Sequence, residues 1–131
     1  MATIEVTESN LQEQIDKGGI LLLDFWATWC GPCTSFAPIY ESASEMNPDI
    51  IFGKVDTEAA PGLAEAAGIS AIPTLMAFRD GTLVFAQAGA LPKPALDQVI
   101  EKVRALDMEK VKAEMSAHPD HAAHSSGSDN T

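Results

Sequence analysis

The chain has 131 residues, 46% of them hydrophobic, which is apolar material for one packed core and too little length for a second domain. Nineteen acidic against eight basic residues give a net charge of -11, which argues against an electrostatic grip on nucleic acid or an anionic lipid surface. Apolar runs such as Ile20 to Leu23 are far too short to span a membrane, and the first residues lack a signal peptide's basic and apolar regions, so the expected location is the cytoplasm.

Ile4 to Val6 reads as a short strand, followed by a helix opened by Thr7 or Ser9 and closed by Gly18 and Gly19. Residues 20–26 are apolar except for Asp24, the pattern of a central strand buried on both faces. Phe36, Ile39, Tyr40, Ala43 and Met46 recur at helical spacing with Pro38 inside the run, which predicts a long helix kinked at the proline. Residues 50–55 form the next expected strand, 61–67 a short helix and 74–79 a further strand. Asp80-Gly81 is a hairpin signal leading into a last strand over 82–88.

Leu96, Val99, Ile100, Val103 and Leu106 make the apolar stripe of a final helix, opened by Pro92 and Pro94 without a side-chain cap at Pro92. Its pattern continues through Val111 and Met115 to a stop at His118-Pro119. Residues 118–131 then turn to His, Ser, Gly, Asp and Asn, the composition of a disordered tail. His118, His121 and His124 lie there, and a solvated tail accounts for them better than a weak metal site. The alternation of strands and helices, ended by a hairpin and a helix, predicts an α/β fold with a mixed central sheet between helices and right-handed parallel crossovers.

The only two cysteines, Cys30 and Cys33, close the run Trp26-Ala-Thr-Trp-Cys-Gly-Pro-Cys. Pro32 fits the first turn of the following helix without wasting a backbone donor, which places Cys30 at the helix N-terminus. Unsatisfied amides there stabilise a thiolate, the form that attacks disulfides and binds metals. A purely structural bridge would stabilise little, because closing a four-residue loop contributes only about 2 kcal/mol on chain entropy. Half of a zinc site lacks its other ligands, since tetrahedral zinc needs four and no third cysteine exists. A redox pair suits both the short loop, whose bond is easily reduced, and a reducing compartment. Cys30, before the helix and beside the exposed turn, is the candidate nucleophile, and Cys33, one turn inside, is expected to be shielded.

Residues 21–33, Leu-Leu-Leu-Asp-Phe-Trp-Ala-Thr-Trp-Cys-Gly-Pro-Cys, resemble the active-site strand and turn of the thioredoxin family. Gly53-Lys-Val-Asp56, Gly68-Ile-Ser-Ala-Ile-Pro-Thr-Leu75 and Ala88-Gly-Ala90 match it in the same order. The resemblance covers residues 1–106, leaving 107–117 as a helical extension and 118–131 as the polar tail. It implies a thioredoxin fold and a protein-disulfide reductase that exchanges its dithiol with disulfide-containing protein substrates. It further implies no bound cofactor, electrons drawn from NADPH through a flavoprotein thioredoxin reductase, and a monomer with no nucleic-acid or membrane partner. Gly31-Pro32 resembles the reducing members rather than oxidases or isomerases with His between the cysteines. A non-catalytic binding subunit, using the same surface as a clamp, is the alternative of a different class.

In the family, Cys30 would attack and Cys33 resolve the mixed disulfide. Asp24, costly to desolvate in its apolar strand and so raised in pKa, corresponds to the family's proton acceptor and donor for the buried cysteine. Its plainer reading is a buried carboxylate paired with Lys54 from the neighbouring strand, and Lys54 joins the catalytic set on that account. A cis Ile72-Pro73 bond is implied beside the disulfide, with Trp29, Gly31, Pro32, Ile72, Pro73, Gly89 and Ala90 forming an uncharged docking patch. Singly, Pro73 could be a strand-edge breaker and Gly89 a bulge, while Trp26 has a supporting role in the core. Thr34 stands where the family commonly has a basic residue, so the site lacks that positive charge.

Lowering a thiol pKa from about 8.5 to about 7, the family motif's value rather than one derived from this chain, raises the thiolate fraction at pH 7 about sixteen-fold, while a Brønsted slope near 0.45 takes back about five-fold. The remaining gain of about three-fold is small, so docking and orientation must supply most of the rate.

Overall fold

Residues 2–117 are described by the computed structural model, and the expected tail with its three histidines and the helix stop at His118-Pro119 lies outside them. In chain order the elements are β1 (Thr3–Glu5), α1 (Leu11–Asp16), β2 (Ile20–Trp26), α2 (Gly31–Met46), β3 (Ile51–Asp56), α3 (Pro61–Ala66), β4 (Thr74–Arg79), β5 (Thr82–Ala88), α4 (Lys93–Ala105) and α5 (Met108–Ala117). Among the described residues the strands form one mixed five-stranded sheet in the order β1-β3-β2-β4-β5. β1 and β2 run parallel to β3, whereas β4 is antiparallel to both β2 and β5. β2 lies at the centre, which is why it has no polar face: its side chains alternate between two buried layers.

Ile20 and Leu22 join Phe36 and Tyr40 of α2, Phe52 of β3 and Leu96 and Ile100 of α4 in one cluster. Leu21, Leu23 and Phe25 join Val55, Leu63 of α3 and Met76 in the other, with Leu11 and Ile15 of α1 packed against it. The alternation puts Asp24 on the Leu22 side, beneath α2, directly opposite Lys54 of β3 and Leu75 of β4. Two contacts lock α2 and β1 onto β3. The buried Tyr40 hydroxyl donates to the Gly53 carbonyl at 2.8 Å, and a Cβ at Gly53 would fall 2.6 Å from Cγ2 of Val6, the residue after β1, so a larger residue there would force the packing to shift.

The ends of the helices depart from expectation in two places. α1 starts at Leu11 rather than after Thr7 or Ser9, because the Asn10 side chain accepts from the Thr7 N–H at 2.9 Å and donates to the Glu5 carbonyl at 3.0 Å, which fixes a turn before the helix. The last helix does not run on through Val111. It ends at Ala105, Leu106 is extended at φ -63° and ψ 137°, and Asp107 Oδ1 accepts from the Glu109 and Lys110 N–H groups to open a separate α5. Arg79 holds the break in place, its Nη1 donating to the carbonyls of Val103 (2.7 Å), Arg104 (3.2 Å) and Leu106 (3.0 Å). α2 runs from Gly31 to Met46 with the exposed Pro38 inside it.

Candidate active site

Cys30 is the N-cap of α2. Its backbone is extended, and its sulfur accepts the Cys33 N–H at 3.2 Å, one of the donors that a helix start leaves unpaired. Pro32 fills the first turn as expected, and Thr34 closes it by donating from both N–H (3.1 Å) and Oγ1 (3.2 Å) to the Cys30 carbonyl. The two cysteines are joined as a disulfide with their Cα atoms 5.2 Å apart.

Cys33 is shielded as expected, but residue burial does not separate it from Cys30. Cys30 is 5% exposed and Cys33 4%, because both pack with Ala27 against Trp26 and Ile72. What distinguishes them is position: the sulfur of Cys30 accepts an amide N–H at the helix start, and Cys33 lies one turn inside the helix.

The loop before β4 supplies the opposite wall. Its Ile72-Pro73 bond is cis, and the Ile72 carbonyl oxygen lies 3.8 Å from Cys30 Sγ. Gly89, just after β5, donates its N–H to the Pro73 carbonyl at 2.8 Å and does so at φ +105°, a conformation that favours glycine. Trp29, Gly31, Pro32, Gly89 and Ala90 are exposed, and Ile72, which packs against the two cysteines, is half-buried. Pro73 is buried.

In β2, Asp24 is 1% exposed and its Oδ1 has no hydrogen-bond partner among the described residues. Burial pushes its carboxyl up from 3.8 to about 7, with the Lys54 charge opposing that rise. Tyr40 of α2 is raised well above its ordinary value, first by burial and then by the Asp24 charge. Lys54 lies across from Asp24 in the β2–β3 ladder and places Nζ 5.0 Å from the centre of the Trp26 ring, a cation–π contact that holds the ammonium at the edge of the buried layer. The Trp26 Nε1 is buried without a hydrogen-bond partner among the described residues. A cleft of about 350 Å³ opens over this pair, lined by Thr3, Ile4, Glu5, Trp26, Lys54 and Asp56.

Glu58 is the residue at the site that the sequence did not single out. Trp29, 69% exposed, donates its indole N–H to Glu58 Oε2 at 2.6 Å. The signal was topological: β2 and β3 are parallel neighbours, so the turn after β3 emerges at the same sheet end as the turn that carries the cysteines. Thr57 ties the two turns together by donating from N–H (2.9 Å) and Oγ1 (3.1 Å) to the Trp26 carbonyl. Among the described residues no group of three His, Cys, Asp or Glu side chains is placed to hold a metal ion, and no helix is long and apolar enough to cross a membrane.

The sequence model of the family described as Thioredoxin matches residues 2–102. A Streptomyces coelicolor relative provisionally named thioredoxin 2 is 55% identical over 111 residues, covering 85% of this chain and 83% of the relative. The thioredoxin of Staphylococcus saprophyticus is 42% identical over 103 residues, covering 78% of this chain and 98% of its own. Among solved structures, a thioredoxin from Plasmodium falciparum superposes with a TM-score of 0.70 at 33% identity, over 76% of this chain and 97% of that one.

Proposed function

The chain belongs to the thioredoxin family of thiol-disulfide oxidoreductases, and from that premise we propose how its residues divide the reduction of protein disulfides. The Cys30 thiolate attacks one sulfur of a partner's disulfide, forming a mixed disulfide and releasing the partner's other sulfur as a thiolate, which takes up a proton. Asp24 removes the Cys33 proton, and the Cys33 thiolate attacks Cys30 Sγ, expelling the second partner thiolate. The partner gains two electrons and two protons, and the chain is left as the Cys30–Cys33 disulfide.

The observation that carries this division is the N–H of Cys33 donating to Cys30 Sγ at 3.2 Å, at the start of a helix. An amide aimed at one sulfur favours its anion and makes that sulfur both the better attacking group at neutral pH and the better leaving group. Asp24 suits the second step because a carboxyl near 7 exchanges its proton in the range where the enzyme works, which an ordinary carboxylate does not. Lys54 is a positioning residue here: its charge keeps the Asp24 pKa from rising further.

Trp29, Gly31, Pro32, Ile72, Gly89 and Ala90, with the buried Pro73, make the surface on which the partner's segment lies extended. The oxidised chain is recharged by NADPH through a thioredoxin reductase. It binds no cofactor of its own, and it works as a cytoplasmic monomer where thiols are kept reduced. Mixing the reduced protein with a disulfide-bridged protein substrate tests the overall exchange. Two substrate thiols should appear for each Cys30–Cys33 disulfide formed, and loss of the substrate disulfide without that product would refute it.

A further inference from the structure

We propose that Glu58 is a specificity-determining residue of the docking surface, favouring partner segments that carry Arg or Lys beside the disulfide to be reduced. The proposal rests on the reductase function and names the kind of segment that the surface fits.

Glu58 is held in place although it lies at the surface. Its N–H donates to Asp56 Oδ1 at 2.9 Å, the neighbouring Thr57 is bonded twice to the Trp26 carbonyl, and its carboxylate accepts the Trp29 indole N–H at 2.6 Å. Trp29 directly precedes Cys30, so this carboxylate stands at the rim of the reacting centre. A carboxylate offers about four lone-pair sites and the indole takes one.

Among the described residues no Lys or Arg is paired with Glu58 to fill the rest. α2 carries no Lys or Arg along its sixteen residues. Among the described residues Lys54 sits over the Trp26 ring on the sheet, Lys93 is paired with Asp97 at 2.8 Å, and neither pairs with Glu58. A partner laid across Trp29 strips water from a charge that has no counter-ion among the described residues. That desolvation is offset when the partner brings an ammonium or guanidinium to the free oxygen, and it is aggravated by an acidic neighbour. The net charge of -11 acts in the same direction at longer range, raising the encounter rate of basic segments.

The test uses three disulfide-bridged peptides identical except for Arg, Gln or Glu beside the bridge, mixed with pre-reduced full-length protein in single turnover at low ionic strength. The second-order rate constant is read from the peptide thiol formed. The Arg/Gln ratio should be about two- to five-fold in the wild-type chain, as for an exposed charge pair, and the Glu peptide should be the slowest. Glu58→Gln, which keeps an acceptor for the indole, should bring the Arg/Gln ratio close to one, and Glu58→Lys should reverse the order of the Arg and Glu peptides. Because each ratio is taken within one variant, a general loss of activity cancels. About 1 M salt, where the screening length is about 3 Å, should also remove the preference. A wild-type ratio of one, or the same ratio in all three proteins, would overturn the proposal. Failure of the wild-type chain to reduce any of the peptides would instead overturn the reductase function on which it rests.

Discussion

Replacing Asp24 with Asn keeps the shape of the side chain and removes its charge, so it isolates what ionisation costs the fold. In the unfolded chain the carboxyl gives up its proton near 3.8, whereas in the fold it holds it to about 7. Between those values the folded state binds more protons than the unfolded one, so stability falls as pH rises from about 4 to about 7 and is level on either side. At 1.36 kcal/mol per pH unit over that interval, the ionised native state carries a penalty of about 4 kcal/mol. Asp24→Asn has no such penalty. Urea unfolding of the disulfide forms of both proteins, in which no thiol titrates, should show similar stabilities near pH 4, a gap that opens through pH 7 in favour of the variant, and a plateau of about 4 kcal/mol above pH 8. Disulfide exchange by the reduced variant should be slower over the same range, because an amide cannot accept the Cys33 proton. A gap that stays constant with pH would refute the assignment of the raised carboxyl to Asp24.

Cys33→Ser should accumulate a mixed disulfide with partners through Cys30, detected as a covalent adduct on non-reducing gels, while Cys30→Ser should form none. Equal trapping by the two variants would contradict the division of roles. Arg79→Met should lower stability by about 2 kcal/mol, since three carbonyls at the end of α4 lose a charged donor. Amide exchange should then show the α4–α5 junction opening first, with the rate of disulfide exchange unchanged. Deleting residues 118–131 should leave unfolding midpoint and disulfide reduction within error of the intact chain, because no residue assigned a chemical role lies beyond Ala90. A large loss of activity, or tight stoichiometric zinc binding by the intact chain, would assign the tail a part in the reaction.

The strands and the CxxC turn were legible because their signals are local. Seven apolar or enclosed residues over 20–26 define β2, and Asp80-Gly81 defines the hairpin. The break at Leu106 was not legible, since Val103, Leu106 and Val111 keep an apolar rhythm across it, and it depends on Arg79, 24 residues or more away in sequence. The start of α1 was misread for a similar reason: Thr7 and Ser9 carry the local cap signal, whereas the helix begins after Asn10, whose side chain is tied to Glu5 at the end of β1. At the site, residue identities could be read from sequence but exposures could not. The near-equal burial of Cys30 and Cys33 arises from packing with Ile72, some forty residues on, and the burial of Pro73 from its place at the head of β4. Glu58 has no motif at all, and only the parallel pairing of β2 with β3 brings it to Trp29.

The central claim is that Cys30 and Cys33 act together as a dithiol that passes electrons to protein disulfides. Insulin reduction coupled to NADPH and a thioredoxin reductase tests it in one measurement, because NADPH consumption counts the electrons and free thiols on insulin count their destination. We predict one NADPH consumed for each insulin disulfide opened by the wild-type chain, and no consumption above background with Cys30→Ser. Turnover that persists in Cys30→Ser, or its absence in the wild-type chain under conditions where the reductase is active on a thioredoxin control, would contradict the account.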